Sequence, residues 1–235
     1  MRALESLDQE IVECRACARL VEWREQVAVE KRASFRDDTY WGRPIPGFGD
    51  ASARVLVAGL APAAHGANRT GRVFTGDRSG DFLYASLFRT GFANQPTSVA
   101  ADDGLELRDL YITAAVRCAP PANKPTRDER DRCLPFMARE LALLSSVQVI
   151  VVLGAFAYEA MGRVLAAADT PLPTPRPKFG HLVEVPTARA VVLGCFHPSQ
   201  QNTFTGKLTE AMIDEVFLRA RAIADGVPSR PCHTS

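Results

Sequence analysis

The chain has 235 residues, 46% of them hydrophobic, and a formal net charge of +1 at pH 7. That content supports a sizeable core in one domain, while the near-zero charge excludes capture of nucleic acid by a bulk positive field and leaves any phosphate contact to a local cluster. No apolar run of about 18 residues occurs and residues 1–8 lead into alternating charge, so neither a membrane span nor an export signal is expected.

Residues 4–28 have a helical pattern and contain Cys14 and Cys17 as C-x2-C. Residues 33–50, ending in YWGRPIPGFGD, form a Gly-, Pro- and aromatic-rich connection. A buried strand is predicted at 54–58, followed by GLAPAAHGANRTGRVFTGD from Gly59 to Asp77 and a helix at 80–91. After a loop at 93–107, a second strand at 110–116 runs into RCAPPANKPT, and a helix at 126–145 carries Cys133. A third strand at 147–153 and a helix at 154–168 precede a Pro-rich loop at 169–180. The last strand, 190–196, leads into HPSQQN from His197 to Asn202, and a final helix is predicted at 207–224.

Strands alternating with helices predict an α/β fold, a mostly parallel sheet covered on both faces. Loops leaving the carboxyl ends of such strands converge on one crevice, so the Gly59–Asp77 segment and HPSQQN are expected to share a site. Residues 1–225 read as a single domain with an N-terminal helical extension, and 226–235 as a loose tail.

Without an export signal, Cys14, Cys17, Cys118 and Cys133 read as metal ligands or buried thiols and not as a disulfide framework. Four thiolates can hold zinc or an iron–sulfur cluster, and spacing alone does not choose between them. The chain lacks G-x-S-x-G, a Walker A sequence and G-x-G-x-x-G, which removes the usual support for triad hydrolase, P-loop and dinucleotide readings. It also lacks the H-x-E of a zinc deaminase.

GLAPAAHG, GRVFTGD, YITAAVRCAPPANKPT and HPSQQN together resemble the family 5, or type B, uracil-DNA glycosylases, over about residues 14–217. The resemblance implies a uracil-DNA glycosylase fold, a central four-stranded parallel sheet flanked by helices in three α/β/α layers. It also implies a 4Fe-4S cluster on Cys14, Cys17, Cys118 and Cys133, and a monomeric cytoplasmic enzyme of base-excision repair acting on single- and double-stranded DNA, with no membrane partner.

Such an enzyme flips its nucleotide into a pocket, holds the base and stabilises it as a departing anion. Under that resemblance Phe74 stacks on the base, Asn123 pairs with its edge, and His197 donates to the oxygen that gains charge. Asp77 holds the attacking water or stabilises the cationic sugar, although followed by Arg78, Ser79 and Gly80 it equally reads as a helix cap. Gly59, Ala61 and Ala63 form the pocket wall. Better-known relatives carry an acidic or amide side chain in the first motif, where this chain has Leu60 and Ala61, leaving Asp77 as the nearest acid. Where they place a bulky aromatic after the motif's proline, this chain has Ala63, which predicts a wider pocket that also takes hypoxanthine, hydroxymethyluracil or ethenocytosine. Candidate DNA contacts are Arg69, Arg72, Arg78, Lys124, Ser199, Gln200, Gln201, Asn202 and Lys207. The other class considered is an iron–sulfur redox or DNA-binding protein of the same fold without glycosylase activity.

Overall fold

The computed structural model describes residues 2–229. Helix α1 (Arg2–Glu13) buries Leu4, Leu7 and Ile11, the stripe of an amphipathic helix. The single helix expected over 4–28 is interrupted: residues 14–17 leave helical geometry and the chain resumes as α2 (Ala18–Glu30), with Cys17 extended at its N-cap. The break places both thiols of the C-x2-C in a connection between two helices.

The remaining elements are β1 (Phe48–Gly49), β2 (Val55–Gly59), α3 (Ala67–Thr70), α4 (Arg78–Arg89), β3 (Leu110–Ala114), α5 (Arg127–Leu143) and β4 (Val149–Leu153), then α6 (Ala155–Ala167), β5 (Glu184–Pro186), β6 (Val191–Cys195), α7 (Gln200–Phe204) and α8 (Glu210–Ala224). The sheet runs β1-β3-β2-β4-β6-β5. Its centre, β3-β2-β4-β6, is parallel and corresponds to the strands predicted from sequence. The two edges differ from that expectation. β1 pairs with β3 and β5 with β6, both antiparallel, and at two and three residues they are too short to show an alternating pattern in sequence.

Every residue of β2, β3 and β4 is buried, as expected for parallel strands covered on both faces. Alternation divides them between two cores. Val55, Val57, Ile112, Val149 and Val151 face Leu83, Leu87, Val216 and Phe217 of α4 and α8. Leu56, Ala58, Ile150 and Val152 face Met137, Leu141, Met161 and Leu165 of α5 and α6, with Leu4 of α1. The result is three layers, α/β/α.

Side-chain caps fix the helix starts. Thr126 and Glu129 form a capping box on α5, and Thr209 accepts from the Met212 amide, so the last helix begins at Glu210 and not at residue 207. Lys207 therefore lies in the preceding turn. Among the described residues no helix is long and apolar enough to cross a membrane. Most of the predicted tail, residues 230–235, lies outside the described residues.

Candidate active site

Loops leaving β2, β3 and β6 line one cavity of about 460 Å³, within the ~300–1,000 Å³ typical of ligand pockets. Leu60, Ala61 and Ala63 follow β2; Phe74 and Asp77 come from the segment entering α4; Asn123 lies beyond β3; His197, Ser199, Gln200 and Gln201 follow β6. Residues far apart in sequence thus meet at the carboxyl ends of parallel strands, where open α/β sheets bind ligands.

Two of the candidate base contacts hold unusual backbone. Phe74 and Asn123 have φ of 54° and 55°, the left-handed region that is rare for a bulky residue and is found where a site over-determines the chain. Phe74 is held from behind: Tyr84 Oη donates to the Val73 carbonyl at 2.9 Å, and Thr70 Oγ1 to the Thr75 carbonyl at 3.2 Å. Gly59 lies beneath the ring, where a Cβ would stand 2.8 Å from Phe74 Cε2, so the first motif opens on glycine because the aromatic platform rests on it.

Asp77 caps α4, its Oδ1 accepting from the Gly80 amide at 3.0 Å. The cap reading and the cavity reading are both realised, because the same carboxylate lines the pocket. Its Oδ2 lies against Gly66, where a Cβ would come within 2.1 Å. Burial raises the Asp77 pKa from its ordinary value, opposed by the Gly80 and Ser79 amides.

His197 is fixed through its backbone: Asn202 Nδ2 donates to its carbonyl at 2.8 Å, and Gly154 packs against its Cβ. Its ring stands 6.3 Å from that of Phe74. Burial pulls its pKa down to about 4, so the imidazole is neutral at physiological pH.

The proposed DNA contacts sort differently. Arg72 is a correction: it is buried, paired with Asp103 at 2.8 Å and bonded to Ser98, so it shapes the loop and is unavailable to phosphate. Arg69 is mostly committed inward too, to Asp38 at 2.7 Å and over the Phe35 ring. Asn202 spends its amide on His197, and Ser199 caps α7. Lys124, Gln200, Gln201 and Lys207 are exposed. Sequence reading missed Phe204, which is 69% exposed with the guanidinium of the cavity-lining Arg78 5.3 Å from its ring; a lone Phe in a five-residue helix carries no periodicity to betray it.

The cysteines form a second convergence. Cys14, Cys17, Cys118 and Cys133 line a small cavity with Leu20, Val116 and Phe136. Arg24 Nη1 donates to Cys118 Sγ at 2.9 Å and the Arg117 amide to Cys133 Sγ at 3.3 Å. Burial pushes the Cys118 thiol to about 11 and the Cys133 thiol to about 12. Among the described residues no three His, Cys, Asp or Glu side chains are grouped so as to hold a single metal ion.

This fold and this cavity define a class, and comparison with known proteins agrees: a profile of the uracil DNA glycosylase superfamily matches residues 46–221, and the chain belongs to that superfamily. Within it the chain belongs to the type-5 uracil-DNA glycosylases. It is 55% identical over 213 residues to the type-5 uracil-DNA glycosylase of Mycobacterium tuberculosis, covering 90% of this chain and 78% of that one. To those of Mycobacterium leprae and Thermus thermophilus it is 51% identical over 224 residues and 48% over 220, covering 94% of this chain and 96% and 98% of theirs.

Proposed function

We propose that this chain is a DNA glycosylase that hydrolyses the N-glycosidic bond of uracil in DNA, the first step of excision repair. The observation that carries the reading is the meeting of Phe74, Asn123, Asp77 and His197 around one cavity, with two of them in strained backbone. A flipped base enters between the Phe74 face and the Asn123 amide, the Asp77 carboxylate faces the sugar side, and neutral His197 donates a hydrogen bond to the oxygen that gains charge as the bond breaks. Water completes the hydrolysis. Incubation with a uracil-containing oligonucleotide, followed by alkali to cut abasic sites, is expected to give a single cut at the uracil; an uncut strand overturns the reading.

Substrate range follows from Ala63. It contributes only a methyl group to the cavity wall, leaving room for C5-substituted pyrimidines and larger bases. Slower release of 5-hydroxymethyluracil, hypoxanthine and ethenocytosine is expected beside uracil. Ala63→Tyr should suppress these by about 10-fold or more, an effect of the size that one filled contact gives in a pocket, while sparing most uracil release. A panel of oligonucleotides carrying each base measures both effects, and confinement of the unaltered enzyme to uracil rules out the open-pocket explanation.

The four cysteines are proposed to hold a 4Fe-4S cluster. They are drawn from the α1–α2 connection, the segment after β3 and helix α5, and N–H donors already point at two of the sulfurs, as thiolates bonded to iron require. Cys14, Cys17, Cys118 and Cys133 would each supply one thiolate to the cluster. When bound it would staple the N-terminal helices to the sheet, since metal-binding free energy is also folding free energy. Cys118→Ser and Cys133→Ser are expected to abolish broad visible absorption and lower Tm. Cys195→Ser, a fully buried core position away from the quartet, should cost about 1–3 kcal/mol with the absorption intact. Stoichiometric zinc without iron after anaerobic purification overturns the cluster.

A further inference from the structure

Arg24 is 1% exposed on α2, and a buried guanidinium needs an anionic partner. Its nearest carboxylate, Glu25, is 3.8 Å away and itself half exposed. The bonds it makes are to Cys118 Sγ at 2.9 Å and, through both terminal nitrogens, to the Cys14 carbonyl at 3.3 Å, while its Nε is buried with no partner. A neutral thiol is a weak acceptor. A cluster held by four thiolates carries net negative charge, and hydrogen bonding to its sulfurs is a principal means by which a protein sets cluster stability and potential.

The same residue reaches the other site. The Arg24 carbonyl accepts from Asn68 Nδ2 at 3.2 Å, and Asn68 is fully buried. The Asn68 backbone N–H donates to the Ala63 carbonyl at 3.1 Å, and the Asn68 backbone carbonyl accepts from the Gly42 N–H at 3.0 Å. Ala63 lines the base cavity. A second contact runs in parallel: Ala61, also on the cavity wall, packs against Leu20, Val116 and Cys118 beside Cys17. The wall of the base pocket is therefore backed by the cysteine site.

We propose that Arg24 and Asn68 form a buried strut coupling the cysteine site to the pocket wall at Ala63, which makes both of them positioning residues for glycosylase chemistry. The inference rests on reading Cys14, Cys17, Cys118 and Cys133 as cluster ligands. Loss of the cluster, or of the Arg24–sulfur bond, then loosens Ala63 and the segment leading to Asp77 without touching either reacting group.

The test compares the intact protein with Arg24→Met, Arg24→Lys and Asn68→Ala by iron content, loss of visible absorption under a chelator, and single-turnover cleavage of a uracil oligonucleotide. Arg24→Met is expected to lose its absorption ~10- to 100-fold faster, the range found for residues that support metal ligands, with Arg24→Lys intermediate because it keeps the charge but not the fork. Asn68→Ala should keep wild-type absorption and affinity for uracil-free DNA yet cleave ~10-fold more slowly. The Arg24→Met, Asn68→Ala double variant should cleave no more slowly than the slower single one, the non-additivity of residues acting in one chain. Should Arg24→Met not fold, Arg24→Lys decides: wild-type chelator resistance and cleavage in it overturn the strut. Additive losses in an iron-loaded protein also overturn the strut and leave the cluster standing, whereas iron-free but fully active wild type overturns the cluster reading and the strut with it.

Discussion

Replacing His197 with alanine is expected to slow single-turnover release of uracil by about 10²- to 10³-fold, the loss found when one preorganised donor to a developing oxyanion is removed. The expectation comes from its protonation state and its fixation together. Burial pulls the imidazole pKa down to about 4, so at neutral pH it is uncharged, the form that the proposed role requires for donating a hydrogen bond to the base oxygen as negative charge develops. Asn202 on its carbonyl and Gly154 against its Cβ fix where that donor stands, and so no reorganisation is needed when the bond breaks. The interaction strengthens only in the transition state, hence the cleavage rate should fall while affinity for the uracil-containing strand changes little. Rapid-quench cleavage beside a binding isotherm separates the two. A variant that cleaves within a few-fold of wild type would reassign His197 to packing against Phe74, its ring neighbour at 6.3 Å.

What the sequence made legible, and what it did not, follows from where the determinants lie. The strand VLVAG and its glycine before the first site loop could be read locally, because a run of buried β-branched residues ending at a turn has one common explanation. The order of motifs along the chain then carried the site, since parallel topology brings strand ends together. Arg72 could not be read that way. Its inward turn depends on Asp103, 31 residues on, and a surface arginine and a buried one have the same letter. The break at residues 14–17 was hidden for a similar reason: CRAC contains neither Gly nor Pro to mark it, and Cys17 meets Cys118 and Cys133 only in the folded chain. The edge strands β1 and β5 owe their existence to pairing with β3 and β6 and not to any pattern of their own.

Asp77→Asn distinguishes the helix cap that the structure shows from the catalytic role proposed for the same side chain. Asparagine caps a helix about as well as aspartate, so the bond from the Gly80 amide at 3.0 Å can persist and Tm should change by no more than a few degrees. The carboxylate's charge is lost in the same substitution, and with it the stabilisation of the cationic sugar and the orientation of water that are proposed for it. Cleavage is expected to fall ~10²-fold or more, the usual contribution of a positioned acid or base. The pH profile carries a second signature. Burial raises the Asp77 pKa, and the active form is the ionised one, so the wild-type rate is full above that pKa and declines as pH falls through it, at a higher pH than an exposed aspartate would give. In Asp77→Asn the group that titrates is gone, and the residual rate should be flat across the same interval. A variant with wild-type rates and an unchanged acid limb would leave Asp77 as a helix cap alone and return the search for the water-orienting group to the other polar side chains that line the cavity, Asn123 first among them.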